Sequence, residues 1–196
     1  ETLLVRLRKK LGIDTLTPIH RIDRETAGLV LFSVKPEGRN LYQRLFRENF
    51  VSKHYEAIAP YRDDIAFPMR YRSRIEEGDS FMRMRVIPDG TPNAETEISI
   101  QQKSNAFAHY HLKPVTGRKH QLRIQMCSLG IPLLNDRIYP VHLPEAVTDE
   151  MQAEEFRYPL QLVAKSVSFK DPVSEKIHHF ESRHCLDLNR ISDFID

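Results

Sequence analysis

Asp23 is the side chain whose setting first suggests chemistry. It lies in the run His20-Arg21-Ile22-Asp23-Arg24-Glu25-Thr26-Ala27-Gly28-Leu29, a carboxylate between two arginines in a loop that leads into an apolar segment. A carboxylate can stabilise developing positive charge, attack an electrophilic carbon or remove a proton, and loops held by rigid elements are a usual place for such groups. A second run, Lys113-Pro114-Val115-Thr116-Gly117-Arg118-Lys119-His120-Gln121-Leu122-Arg123, concentrates hydrogen-bond donors at the end of a strand-like stretch. If it is helical, Lys119 and Arg123 share a face, as do His120 and Arg123. Read singly, each residue has a plainer account. Asp23 is then a loop carboxylate paired with Arg21 or Arg24, Tyr55 a strand aromatic, and Arg118 and Arg123 a basic helix surface.

The remaining histidines and cysteines carry less. His20 can orient the Asp23 loop by hydrogen bonding. His109 and His111 share a strand face, and with His120 they raise the question of a metal, but no Cys or carboxylate completes a ligand spacing. His178, His179, His184 and Cys185 read as surface residues of a polar tail. No metal is expected. Cys127 and Cys185 form neither a disulfide framework nor a CxxC motif, and read as reduced thiols.

The elements that must position these groups follow from patterning. Residues 2–11 place Leu3, Leu4, Leu7 and Leu11 at helical spacing, with Gly12 to cap them. Residues 13–26 are irregular, with Pro18 favouring an extended approach to His20. Gly28 to Val34 reads as a buried strand, and Pro36 as the start of a helix with Leu41, Tyr42, Leu45 and Phe46 on one face. From Val51 the pattern changes to strands: 51–60, 81–87, 96–102, 107–115 and 160–169. Thr116 can cap a helix running to Leu129. Residues 141–157 read as an acidic loop or short helix. Many strands and few helices argue for an α+β fold with a largely antiparallel sheet.

Bulk properties narrow the class further. The chain has 196 residues, 29% of them charged, and a formal net charge of +2. That length suits one domain. No stretch is long and apolar enough to span a bilayer, so a membrane partner is not expected. The charge balance does not by itself announce a nucleic-acid ligand, but basic residues gather at Arg21 and Arg24, at Arg70, Arg72 and Arg74, at Arg83 and Arg85, and at Arg118, Lys119 and Arg123. Such grouping can give one positive face.

Both chemical runs strongly resemble the RluA-type pseudouridine synthases, whose hallmarks are a His-Arg-Leu-Asp-Arg-x-Thr-Ser-Gly-Leu loop and a Pro-x-Thr-Gly-Arg-x-His-Gln-Leu-Arg segment. Lys53-His54-Tyr55 matches the family's Lys-x-Tyr strand, and Gly130-Ile131-Pro132-Leu133-Leu134-Asn135-Asp136 resembles its Gly-His-Pro-Ile-Leu-Gly-Asp. Leu160 to Ala164 continues the resemblance more weakly. Ile22, Ala27, Ile131, Asn135, Pro140, Val163 and Lys165 depart from the pattern. The later ones flank the expected cleft and bear on RNA choice more than on the reaction.

The resemblance implies a pseudouridine synthase fold: a mixed, largely antiparallel sheet flanked by helices and loops around a central RNA-binding cleft. It implies isomerisation of uridine in structured ribosomal or transfer RNA to pseudouridine, with no cofactor. The bond from C1′ to N1 breaks, the uracil turns, and C5 joins C1′. By the same resemblance Asp23 is the catalytic aspartate, Tyr55 the stacking tyrosine, Arg123 the arginine that pairs with Asp23 and favours its ionised form, and Arg21 a residue that displaces the target base. Arg118 and His120 belong to the matched substrate-binding segment. Unstacking a base costs a few kcal/mol, which Arg21, Arg118 and Lys119 can offset by gripping phosphates. The family usually has a segment upstream of the first helix. Residues 1–196 are therefore expected to be a single catalytic domain lacking that segment, a monomer of the cytoplasm. Two rivals remain. One is an inactive RNA-binding protein of the same fold. The other is an N-glycosidic hydrolase using Asp23 and Glu25, which point the same way in an extended stretch.

Overall fold

The computed structural model describes residues 1–141 and 157–194. The acidic stretch read as a loop or short helix lies almost wholly outside the described residues. The chain opens with α1 (Leu3–Leu11), where the Thr2 hydroxyl accepts the Val5 N–H and Gly12 closes the helix at φ 66°. Both ends agree with the leucine spacing and the glycine stop.

The apolar run after Asp23 differs from expectation. In place of one buried strand, two two-residue strands touch the run, β2 (Ala27–Gly28) and β3 (Phe32–Ser33), preceded before Asp23 by the equally short β1 (Thr17–Pro18). β1 and β3 form a small antiparallel ribbon. Gly28 is the reason for the break. Its φ of +102° turns the chain, and a Cβ there would lie 2.3 Å from the Ala164 carbonyl oxygen. The run is therefore spent on a turn and a close backbone approach, and its residues are only half-buried.

After a 3-10 turn over Pro36–Gly38 comes α2 (Arg39–Arg47). The sheet then builds from β4 (Ser52–Pro60), β5 (Met69–Glu77), β6 (Met84–Ile87), β7 (Ala94–Lys103), β8 (Phe107–Pro114), β9 (Leu162–Lys170) and β10 (Ile177–Glu181), with α3 (Gln121–Ser128) between β8 and β9. The order across the sheet is β10-β9-β4-β8-β7-β5-β6, antiparallel throughout, with β2 added in parallel alongside β9. The α+β expectation holds.

Two strands escaped the pattern reading. β5 looked like a cluster of arginines, yet it alternates. Arg70 and Arg72 stand on the outer face and pair across to Glu97 and Glu95 of β7, while Ser73 and Ile75 are buried. Cross-strand ion pairs therefore neutralise much of that basic cluster. β10 falls where the sequence reads as a polar tail, but its His178 and Phe180 rings stack at 5° to one another.

The main core lies between the sheet and α3. Ala57, Ile98, Tyr110 and Leu112 pack there against Leu122 and Met126. Six consecutive α3 residues, Gln121 to Met126, are buried, so the helix shows no amphipathic stripe. Its polar members are satisfied by a ladder. Gln121 accepts from Thr116 and donates to the Thr96 hydroxyl, Thr96 donates to Gln125, and Gln125 donates to Ser73. A fully satisfied buried network of this kind specifies one seating of the helix.

Candidate functional site

The Asp23 loop is held at both ends before it reaches the cleft. His20 accepts the Leu31 N–H at Nε2, 3.0 Å away, so its Nδ1 carries the hydrogen that reaches the Arg21 carbonyl, also at 3.0 Å. Burial lowers the His20 pKa, which keeps the neutral ring that this arrangement needs. The ring stacks on Phe46 of α2 at 4.3 Å. Beyond Asp23, the Thr26 N–H closes a turn onto the Asp23 carbonyl, and the Leu29 N–H bonds the Ala164 carbonyl of β9. The loop-orienting role expected of His20 matches this geometry.

Asp23, Arg21, Tyr55, Arg118 and Arg123 line one open cavity of about 320 Å³. Asp23 is largely sheltered, its side chain 16% exposed, with Arg21 Nη2 at 3.7 Å and His120 Nε2 at 3.9 Å from Oδ1. Tyr55 comes from β4, and its phenol is pushed up to about 12 by burial and by the charge of Asp23. It therefore stays protonated and neutral at ordinary pH. Lys53, two residues earlier on the same strand, reaches the Thr116 carbonyl at 3.1 Å and ties β4 to the loop before α3. Arg118 is exposed at the rim, where its backbone N–H is taken by Gln121 and its Nε by the Asn93 carbonyl.

Arg123 lines the cavity but pairs differently from what the resemblance implied. Its guanidinium is 1% exposed and grips Asp136 through two bonds, at 2.7 and 2.6 Å, and Glu25 at 2.7 Å. The expected pairing of Arg123 with Asp23 is thus replaced by a three-member cluster of Arg123, Asp136 and Glu25. Burial works against the Arg123 charge, but Asp136 and Glu25 outweigh it and raise its pKa. A buried guanidinium needs bidentate anionic partners, and Asp136, itself with no exposed side-chain surface, supplies the best geometry. Glu25, the second carboxylate of the hydrolase alternative, is engaged by Arg123.

His120 begins α3 with φ 52°, a left-handed conformation that a non-glycine residue adopts only under constraint. The expected α3 start at Thr116 is displaced to Gln121. The Thr116 hydroxyl donates to Gln121 and accepts the Glu95 N–H, so it braces the loop to β7 and does not cap the helix. His120 is buried, with its Nδ1 3.1 Å from the Tyr139 hydroxyl. Tyr139 and Asp136 are site residues that the sequence reading left without a role. The departures after Gly130 had drawn attention to that segment, but only the fold brings it under the cleft. His109, His111 and His120 do not converge. His111 meets His54 and His109 faces Glu56, while His120 stands beside Asp23.

The family model described as RNA pseudouridylate synthase matches residues 2–128, which include the Asp23 loop, β4 and the whole of α3. The chain belongs to the RNA pseudouridylate synthase family. It is an RNA pseudouridine synthase, an enzyme that isomerises uridine. It is 26% identical over 189 residues to the dual-specificity RNA pseudouridine synthase RluA of Pasteurella multocida, covering 90% of this chain and 76% of that one. It is 32% identical over 158 residues to the ribosomal large subunit pseudouridine synthase C of Vibrio cholerae, covering 81% of this chain and 48% of the relative, so the synthase spans about half the length of that protein. The solved structure of human RNA pseudouridylate synthase domain containing 1 superposes with a TM-score of 0.72 at 19% identity, over 97% of this chain and 83% of that one. The likeness establishes the pseudouridine synthase fold.

Proposed function

We propose that this synthase isomerises a uridine of structured ribosomal or transfer RNA with Asp23 as its catalytic group. The observation that carries the assignment is the meeting of Asp23, Tyr55, Arg21 and Arg118 in one cavity, with residues drawn from a loop, a central strand and the α3 entry. The uracil lies against the Tyr55 ring, a flat surface that holds the base while it is detached. Asp23 faces C1′. It stabilises positive charge there, attacks that carbon, or takes the C2′ proton to give a glycal, and the three routes share one outcome. The C1′–N1 bond breaks, the base turns, C5 bonds C1′, and the C5 proton is lost while N1 gains one. Arg21, 59% exposed beside Asp23, occupies the space left by the extruded base. Arg118 and Lys119 grip phosphates at the rim.

The relative from Vibrio cholerae is named for the large ribosomal subunit, and that supports ribosomal RNA as the first substrate to try. The dual specificity named for the Pasteurella relative keeps transfer RNA beside it. We read residues 1–196 as one catalytic domain that acts as a monomer in the cytoplasm and uses no metal or cofactor. Sedimentation of the purified chain and assay in the presence of a chelator test those points.

The deciding experiment uses RNA tritiated at uridine C5. Tritium release without free uracil is the expected result. Free uracil would indicate hydrolysis, and neither product would leave RNA binding alone. Asp23→Asn should abolish release while keeping RNA affinity within about tenfold, roughly 1.4 kcal/mol. Substantial residual turnover in that variant would remove Asp23 from the chemistry.

A further inference from the structure

The Tyr139 hydroxyl sits between two hydrogen-bonding groups whose roles can be settled by counting hydrogens. Tyr139 is 1% exposed and His120 8%. The Met84 N–H of β6 donates to the Tyr139 oxygen at 2.7 Å, and His120 Nδ1 lies 3.1 Å from the same oxygen. A phenol offers one hydrogen and accepts through its oxygen. The backbone N–H can only donate, so it fills an acceptor position. The hydroxyl hydrogen then needs an acceptor, and among the described residues His120 Nδ1 is the one within reach. The side chains stacked on the Tyr139 ring, Arg83 at 5.5 Å and Arg123 at 5.9 Å, are cations and offer none.

If Nδ1 accepts, the hydrogen of the neutral imidazole is on Nε2. That nitrogen is the one facing the Asp23 carboxylate, 3.9 Å from Oδ1. The opposite tautomer would leave a buried hydroxyl hydrogen unpaired and turn a lone pair toward an anion, both unfavourable. The ring is held edge-on to Tyr139 at 85°, which keeps it from turning. Burial lowers the His120 pKa, with Arg123, Lys119 and Arg21 acting in the same direction and Asp23 against it, so the neutral ring is the relevant form.

We propose that Tyr139 is a positioning residue of the synthase, a hydroxyl that donates to His120 Nδ1 and thereby aims the His120 Nε2–H at the Asp23 carboxylate. The N–H orients Asp23 toward C1′ and shortens to a hydrogen bond when substrate closes the cleft, as catalytic contacts commonly do. The inference rests on the Asp23 assignment for its consequence in turnover, but not for the tautomer itself. It also explains why the cleft residue is anchored to a distant hairpin, since Met84 belongs to β6.

The test has a spectroscopic arm and a kinetic arm. In protein labelled with ¹⁵N-histidine and free of RNA, long-range ¹H–¹⁵N correlations should place His120 in the Nε2–H form, and Tyr139→Phe should shift it toward the Nδ1–H form. In turnover, Tyr139→Phe should lower kcat about tenfold, the size of one lost hydrogen bond, with KM for RNA nearly unchanged. Its acid limb should move to higher pH, because the hydroxyl that stabilised the neutral form at Nδ1 is gone while burial and the nearby cations stay as they were. His120→Gln, which places an amide N–H near the Nε2 position, should keep more of kcat than His120→Ala and lose that limb. An Nδ1–H tautomer in the unaltered protein would overturn the proposal, as would a Tyr139→Phe variant with the original kcat and pH profile. Should Tyr139→Phe fail to fold, the spectrum of the unaltered protein and His120→Gln decide. Activity remaining in Asp23→Asn with His120 in the Nε2–H form would instead discard the Asp23 assignment and leave the relay standing.

Discussion

Arg123 is a charged residue whose partners are buried or half-buried carboxylates. It is buried with Asp136, which has no exposed side-chain surface, and with Glu25. Removing one partner of such a pair strands the other charge, at a cost of about 3–5 kcal/mol. Arg123→Ala should therefore lower stability by that amount in urea titrations and lose activity with it. Lys119→Ala should change stability by no more than about 1 kcal/mol, since it breaks one exposed bond to the Phe81 carbonyl. Equal stability losses in the two variants would mean that Arg123 is not committed to the buried cluster. The double variant Arg123→Ala/Asp136→Ala should lose less than the sum of the two single losses, because these two charges are removed together and their mutual interaction is counted once. His120 belongs to the same scale. Its motif position marked it for the site, while its function depends on which nitrogen carries a hydrogen.

At the scale of elements, the two-residue strand β2 anchors the Asp23 loop. Its parallel register, Ala27 with Val163 and Gly28 with Ala164, fixes where the chain leaves Asp23. Gly28 is needed twice over, for its positive φ and for the backbone approach that a methyl group would fill. Gly28→Ala should push β2 off β9, lowering the melting temperature and kcat together. A variant that keeps both would show that the loop is held from its His20 side alone. The apolar run 28–34 looked like a strand because its composition is that of one. Composition carries no record of a backbone turn, so the break at Gly28 emerged only from the fold. β5 escaped for the complementary reason. Its outward arginines masked an alternation that makes sense once Glu95 and Glu97 stand opposite.

Across the whole molecule, several histidines are folded into surroundings that disfavour their charged form. Burial lowers the pKa of His20, His54, His109 and His120 from the ordinary value of 6.5. The unfolded chain therefore binds more protons than the folded one below that value. Their contribution to stability is fully present above about pH 6.5 and declines as the pH falls through it toward the lower folded values. Thermal melts should show the synthase losing stability between about pH 7 and pH 5. Replacing His109, which faces Glu56 away from the cleft, should reduce that loss without altering the acid limb of turnover. A flat profile would mean that these rings are not held neutral.

Local segments determined much of this protein. The loop around Asp23, the Lys53-to-Tyr55 strand and the run ending at Arg123 were legible because each is contiguous, and side-chain type with spacing marks such runs. The family, the α+β class and most strands followed from them. The tertiary structure alone decided the partners. Arg123 meets Glu25 across 98 positions of sequence, and His120 reaches Tyr139 because α3 and the β6 edge converge on one buried hydroxyl. Pairing of buried charges and the siting of a single proton depend on how closely segments remote in sequence approach one another. Those distances are set by packing, and no pattern within a segment records them.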